Sequence, residues 1–190
     1  MVLAKADKGD AIVILTSKQY NEKMLSFLQS SNATRTTFGL KRHNDEVKAA
    51  IKNTSFLFGS DMHDKLIQMV SSLPQLYGQI KVHKPEAPIR PVVASITAPT
   101  YRLAKFLAQR FRSVTDFVGT FSIKNSIELV SKLNQTKFPE GSILVSFDVQ
   151  SMYTCISVQL SIKLMITLLQ QKNIPADIIN EFRKLVHCAS

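Results

Sequence analysis

A carboxylate near the end of an apolar run is the first candidate for chemistry in this sequence. The run at 143–149 carries Asp148, and Tyr153 follows five residues later. A carboxylate at the end of a strand can hold a divalent cation between its oxygens and the phosphates of a nucleotide. An aromatic just beyond it could pack against the sugar. An aspartate at a strand end is more often a turn or helix-cap residue, so both interpretations stay open on these residues alone.

A cluster of cations in segment 76–96 is the second candidate. Two extended runs flank a proline-rich turn, which predicts a β-hairpin. Lys81 and Lys84 precede the turn and Arg90 follows it. Period-two alternation places Lys81 and His83 on one face of one arm, with Arg90 on the other arm. Such a ribbon can bring several cations onto a triphosphate or a phosphate backbone. A solvated edge hairpin kept soluble by lysines shows the same pattern.

The positive charge continues into a helix predicted from Thr100 to about Thr115. Arg102 and Lys105 fall on one helical face, with Tyr101 beside them. Glu86 is the single acid between Lys81 and Arg112. This face fits a track for a nucleic-acid backbone, and an ordinary polar helix face is the alternative.

The overall composition favours a polyanionic partner. The 190 residues carry a net charge of +10, and the pI is about 9.7. Such a surface attracts nucleic acid first and anionic membrane second. The hydrophobic fraction of 45% excludes an intrinsically disordered chain. No apolar run reaches the roughly 18 residues that a bilayer span needs, so we expect no membrane partner.

The cysteines and the N-terminus favour an intracellular protein. Cys155 and Cys188 are too few for a disulfide framework, and reduced thiols are typical of the cytosol and nucleus. Acids and a glycine interrupt the N-terminal residues where a signal peptide needs an apolar core. With the basic charge, these features lead us to expect a nuclear location.

Hydrophobic periodicity predicts an α+β fold with no internal repeat. The patterns predict helices at 17–29, 45–53, 61–72, 100–115, 125–133, 158–171 and 176–188, strands at 11–15 and 143–149, and the hairpin at 76–96. The strand at 143–149 has only the N-terminal run and the hairpin as possible partners. We therefore expect helices packed on a short, incomplete antiparallel sheet, in a fragment whose other strands lie outside this chain.

Four segments in order resemble Penelope-like reverse transcriptases. The family's fingers segment is similar to LYGQIKVHKPEAPIRPVVASITAPTYRLAKFL at 76–107. Its first palm motif resembles SILVSFDVQSMYTCI at 142–156, with the serine-phenylalanine-aspartate and the following aromatic. The segment that precedes the fingers resembles AKADKGDAIVIL at 4–15, and the stretch between fingers and palm resembles FSIKNSIELV at 121–130.

The resemblance implies a partial fingers and palm fold and a nucleotidyl-transfer site. Residues 1–135 would form a fingers-like region, and residues 136–190 would form the first part of a palm. Asp148 would bind Mg²⁺ or Mn²⁺ in a complete site. Tyr153 would sense the sugar 2′ position, where the family usually has phenylalanine.

The resemblance also implies roles for the cations. Arg90 would contact the triphosphate of an incoming deoxynucleoside triphosphate, with Lys81 and Lys84 supporting it or the template. Tyr101, Arg102 and Lys105 would lie near the RNA template or the DNA primer. For this role we expect Arg90 to be partly exposed, unpaired and on the same side as Asp148, about 10 Å away. A structural arginine would instead pair with a carboxylate, and Glu86 is the nearest in sequence.

Departures from the family pattern limit what this chain could do alone. The tyrosine-x-aspartate-aspartate turn that supplies the second palm carboxylates is missing, as are the thumb and any GIY-YIG endonuclease segment. Two metals need more than one carboxylate, so we expect this polypeptide alone not to polymerise. A non-catalytic nucleic-acid-binding module, a degenerate transposon relic and a structural protein on a repurposed scaffold remain alternatives.

Overall fold

The chain folds into a mixed α+β structure, which confirms the predicted class at this level. The computed structural model describes residues 1–31, 34, 37, 39–119, 121–149 and 152–189, and the side chains of Tyr153 and Thr154 lie outside this description. The elements in chain order are β1 (Val2–Lys5), β2 (Ile12–Leu15), α1 (Ser17–Ser30), α2 (Leu40–Lys52), a 3-10 turn (Ser60–Met62) that continues as α3 (His63–Leu66), β3 (Gln75–Ile80), β4 (Ile89–Ala94), α4 (Tyr101–Thr115), α5 (Ser126–Gln135), α6 (Met152–Cys155), α7 (Val158–Gln171) and α8 (Ala176–Ala189).

Two antiparallel hairpins form the β part of the described chain. β1 pairs with β2 from Val2↔Leu15 to Lys5↔Ile12. The turn between them includes Gly9 at φ 75°, a conformation that glycine adopts without steric cost. β3 pairs with β4 over six residues, from Gln75↔Ala94 to Ile80↔Ile89. A parallel bridge between Ala6 and Ile80 joins the two hairpins, and both residues are only 1% exposed.

Helix α1 packs on one face of the β3–β4 hairpin. A capping box between Thr16 and Gln19 fixes its first turn. The hydroxyl of Tyr20 accepts a hydrogen bond from the backbone N–H of Gly78 at 2.7 Å. A Cβ at Gly78 would collide with Ile89 and lie 3.0 Å from the sulfur of Met24. The space beside residue 78 is therefore already filled by Ile89 and Met24, which leaves no room for a side chain there.

The main hydrophobic core lies among α2, α3, α4, α7 and α8. The most deeply buried members are Ile51 and Leu103, each 0% exposed, and Leu185 at 1%. Phe58 packs edge-on against Phe106 with ring centroids 5.3 Å apart. Residues from both sides of the proposed boundary at 135/136 share this core. It consists of Val47, Ile51, Leu57, Phe58, Leu66, Ile67, Leu103, Leu107, Leu169, Ile179, Phe182 and Leu185.

The predicted strand at 143–149 is wrong. These residues have no regular secondary structure, and Leu144 and Phe147 are 81% and 92% exposed. Strand backbone groups need hydrogen bonds from a neighbouring strand. Among the described residues, β1–β2 and β3–β4 pair within themselves and neither pairs with this segment. Without a partner, a strong β propensity does not produce a strand.

The predicted helix at 61–72 is much shorter than expected. It ends at Leu66, and Met69 and Val70 are 78% and 84% exposed. The following chain is held by the base of the β3–β4 hairpin, where the Ser72 N–H donates to the Thr97 carbonyl at 2.9 Å. These tertiary bonds outweigh the local helical pattern.

The strand β1 and the short helix α6 were not predicted.

Candidate nucleic-acid interface

The cations before the turn lie in the hairpin tip and not on a strand. β3 ends at Ile80 and β4 begins at Ile89, so Lys81, His83 and Lys84 belong to the connecting loop. The prediction that strand alternation places Lys81 and His83 on one face is therefore wrong. The proline-rich loop extends further back along the chain than the positions of the prolines suggest.

The backbone of this tip is fixed by its own hydrogen bonds. The Lys81 N–H donates to the Pro88 carbonyl at 2.9 Å, and the Lys84 N–H donates to the Lys81 carbonyl at 3.0 Å. Glu86 adopts a left-handed conformation with φ 60°. Lys23 from α1 donates to the Glu86 carbonyl at 2.8 Å, which ties the tip to the helix. Lys84 is exposed and Lys81 is half-buried, so a fixed backbone presents these two lysines at the tip.

Arg90 is paired, contrary to expectation. Its Nε forms an ion pair with Oδ1 of Asp7, and the partner is not Glu86. The side chain of Arg90 is 50% exposed, whereas the side chain of Asp7 is only 5% exposed. The expected partial exposure is therefore present, and the expected freedom from a carboxylate partner is not.

The backbone of Asp7 is held firmly beside β3. Its N–H donates to the Ile80 carbonyl at 2.8 Å. The preceding Ala6 N–H donates to the Ala11 carbonyl at 2.9 Å across the β1–β2 turn. Asp7 Oδ2 is buried, and no hydrogen-bond partner for it occurs among the residues that the structure describes. The sequence analysis gave Asp7 no role of its own, although it lies in the segment at 4–15 that carries part of the family resemblance.

The α4 residues contribute unequally to a basic surface. Lys105 is exposed, and Tyr101 is half-buried. Arg102 is exposed, but its Nη1 donates to the carbonyls of Lys65 at 3.5 Å and Ile67 at 3.4 Å. Arg102 therefore supports the C-terminal end of α3 with these long bonds, in addition to any role on the surface.

The described residues do not assemble a site for Mg²⁺ around Asp148. Asp148 is exposed on the irregular segment after α5. In the ranges that the structure covers, no group of three or more His, Cys, Asp or Glu side chains comes together in a way that could hold a metal ion. Tyr153 lies in α6 by its backbone, and its side chain is outside the described residues. One exposed carboxylate is less than a divalent metal site requires.

A second carboxylate that sequence reasoning missed has a structural use. The carboxylate oxygens of Glu181 in α8 accept backbone N–H bonds from Ser55, Phe56 and Leu57 at 2.7–2.9 Å. Burial raises the pKa of Glu181, but the hydrogen bonds from these amides outweigh it, so the pKa is lowered overall. A pocket of about 480 Å³ lies beside Glu181. It shares no lining residue with the hairpin tip, and the carboxylate beside it is already occupied by the loop.

Comparison with known proteins gives no relative from which to transfer a function. No protein-family model matches the chain, and the curated proteins and the solved structures give no significant match. Within the described ranges, no helix has the length and apolar character needed to cross a bilayer. The function must therefore be argued from the residues themselves.

Proposed function

We propose that this chain is a fragment of an RNA-directed DNA polymerase of the Penelope-like type, and that it binds phosphates of nucleic acid and nucleotide through the tip of the β3–β4 hairpin. The observation that carries the proposal is the cationic tip. Lys81, Lys84 and Arg90 lie on and directly beside a loop that is fixed by its own backbone bonds and by Lys23. The fixed backbone keeps the attachment points of these cations close together, so that they can bind neighbouring phosphate oxygens.

In the complete protein, the fingers would present the triphosphate of a deoxynucleoside triphosphate to a palm site that contains Asp148. When bound, Mg²⁺ or Mn²⁺ would supply the charge stabilisation for nucleotidyl transfer. The present chain contributes cations and one carboxylate, so its own part is binding the RNA template, the DNA primer and the nucleotide. We place this activity inside the cell, in the nucleus.

A non-catalytic nucleic-acid-binding module is the second candidate. The exposed position of Asp148, on a segment that pairs with neither hairpin, favours this candidate over a working polymerase site. A relic of a transposon would have the same properties. In both cases the cationic tip would remain the functional surface.

The test is binding of a labelled RNA–DNA hybrid, measured by fluorescence anisotropy over a series of salt concentrations. We expect weak binding whose log–log salt slope is about −0.7 to −0.9 for each phosphate contacted. Lys81→Glu together with Lys84→Glu should weaken binding by about tenfold or more and reduce the salt slope. The exposed lysines at the C-terminal half of the chain provide the control, Lys163→Glu with Lys172→Glu.

The control pair has the same change of charge as the tip pair. If both double variants weaken binding equally, the attraction is a general effect of net charge and the tip is not the site. Binding that ignores salt would contradict the proposal, because phosphate contacts release counterions.

A further inference from the structure

The Asp7–Arg90 pair is difficult to explain by stability alone. A carboxylate that is 95% buried (5% exposed) keeps one oxygen, Oδ2, without a partner among the described residues. An unpaired buried oxygen is costly, and well-packed apolar residues often stabilise as much as a buried ion pair. A pair that serves only to hold the hairpins together would gain from using both carboxylate oxygens.

The geometry of the pair leaves the outer end of Arg90 available. Asp7 binds Nε, the nitrogen closest to the aliphatic stem, through one oxygen. Among the described residues, no hydrogen bond or ion pair involves Nη1 or Nη2 of Arg90, and the side chain is half exposed. The two terminal nitrogens form the part of the guanidinium that grips phosphate or carboxylate in a fork.

The face of the hairpin that carries Arg90 is free of α1. The side chain of Ile89 lies on the face that packs against α1, because it fills the space beside Gly78 together with Met24 of α1. Successive residues of a strand point to opposite faces, so Arg90 lies on the other face, opposite Gln79 in the register. Tyr77 is on this face too by the same alternation, and the residue is 43% exposed. The fork of Arg90 is therefore accessible to a ligand.

We propose that Asp7 is a positioning residue that holds Arg90 by Nε and directs its terminal nitrogens at a phosphate group. This inference rests on the proposed function and deepens it. Asp7 is itself fixed because its N–H bonds to the Ile80 carbonyl and Ala6 bridges to Ile80. The β1–β2 turn thus sets the direction of a side chain on β4. The phosphate belongs either to a nucleotide or to a nucleic-acid backbone.

Substitutions at Asp7 separate positioning from simple charge compensation. If Asp7 only competes with phosphate for Arg90, both Asp7→Ala and Asp7→Asn should tighten phosphate binding. If Asp7 positions Arg90, Asp7→Ala should weaken binding by about tenfold, as Arg90→Ala does. Asp7→Asn should retain binding, because its amide oxygen still accepts from Nε. Asp10→Ala is the matched control, since Asp10 is in the same turn and fully exposed.

The experiment measures dissociation constants for two probes with each variant. Inorganic tripolyphosphate represents the nucleotide, and a labelled single-stranded oligonucleotide represents the backbone. A loss confined to tripolyphosphate assigns the site to a nucleotide, and a loss confined to the oligonucleotide assigns it to the backbone. In the Arg90→Ala background, Asp7→Ala should not weaken binding further. Asp7 acts only by holding the Arg90 guanidinium, so its substitution has no effect on binding once that guanidinium is absent.

Circular dichroism and thermal melting show whether each variant is folded. If Asp7→Ala does not fold, Arg90→Lys replaces it, because lysine keeps the charge and lacks both Nε and the fork. Arg90→Lys should then bind as weakly as Arg90→Ala.

Tighter binding in both Asp7 variants, or full binding by Arg90→Lys, would overturn the inference. Unchanged binding in Arg90→Ala with a loss in the Lys81/Lys84 variant would overturn this inference and leave the proposed function intact. A wild-type chain that binds neither probe would overturn both.

Discussion

Glu181 shows how one carboxylate can organise a loop that has no regular structure. Its oxygens accept the N–H groups of Ser55, Phe56 and Leu57, which would otherwise lack partners in the structure. The side chain of Leu57 and that of the next residue, Phe58, enter the core. The carboxylate therefore fixes the direction from which two core side chains arrive. Nothing in the local pattern around residue 181 indicates this role.

The lowered pKa of Glu181 makes a stability prediction with a defined sign. A carboxyl whose folded pKa lies below its ordinary value of 4.5 stabilises the fold above that value, and this contribution is lost as the pH falls through the folded pKa. Glu181→Ala should lower the free energy of unfolding at pH 7 by about 1–3 kcal/mol, because three amides lose a charged acceptor.

Urea denaturation at pH 7 and at pH 3 measures this effect. The difference between wild type and Glu181→Ala should shrink at the lower pH, because protonation removes the charge that the amides bind. Glu140→Ala is the control, because Glu140 is exposed. A difference that stays the same at both pH values would show that side-chain packing, and not the charge, is responsible.

Among the elements, the segment at 143–149 differs most from its sequence pattern. Because it pairs with neither hairpin, its backbone amides should exchange with solvent hydrogen within seconds at neutral pH. Amides in α7 and α8, whose apolar sides lie in the core, should be protected for far longer. Hydrogen–deuterium exchange followed by mass spectrometry measures both in one experiment. Strong protection at 143–149 would mean that this segment is paired in solution.

The whole molecule exposes more surface than a compact protein of its mass. The accessible surface is 14598 Å², whereas a folded monomer of this mass exposes on the order of 9,000 Å². Many of the exposed large apolar side chains lie between α4 and α7, as at Phe121 (93% exposed) and Ile143 (81% exposed). The stability of the described chain therefore rests on the core among α2, α3, α4, α7 and α8, to which no described residue between α4 and α7 belongs.

At the scale of the whole molecule, we predict no nucleotide incorporation by this chain on a primed RNA template with Mg²⁺ or Mn²⁺. Among the described residues, no group of three or more His, Cys, Asp or Glu side chains that could hold a metal ion forms around Asp148. Two-metal nucleotidyl transfer needs more than one carboxylate. Extension of a labelled primer is the measurement. Activity that persists in Asp148→Ala would come from another enzyme or another site. Activity that is abolished by Asp148→Ala would contradict this prediction.

Local patterns were sufficient to predict α1, α4, α7, α8 and the β3–β4 hairpin to within a few residues. Each has an apolar periodicity or a turn that is complete in itself, and the core then buries the apolar sides of α4, α7 and α8. The cationic character of the hairpin region was also evident, because charge is a property of composition.

Which groups meet depends on contacts between residues that are far apart in the chain. The segment at 143–149 has the residues of a strand, but a strand forms only where another strand supplies hydrogen bonds, and neither hairpin does. Arg90 meets Asp7 because the Ala6–Ile80 bridge brings the N-terminal turn beside β3. Glu181 reaches Ser55 through the packing of α8 against α2. These contacts join residues far apart in the chain, and no local pattern specifies them.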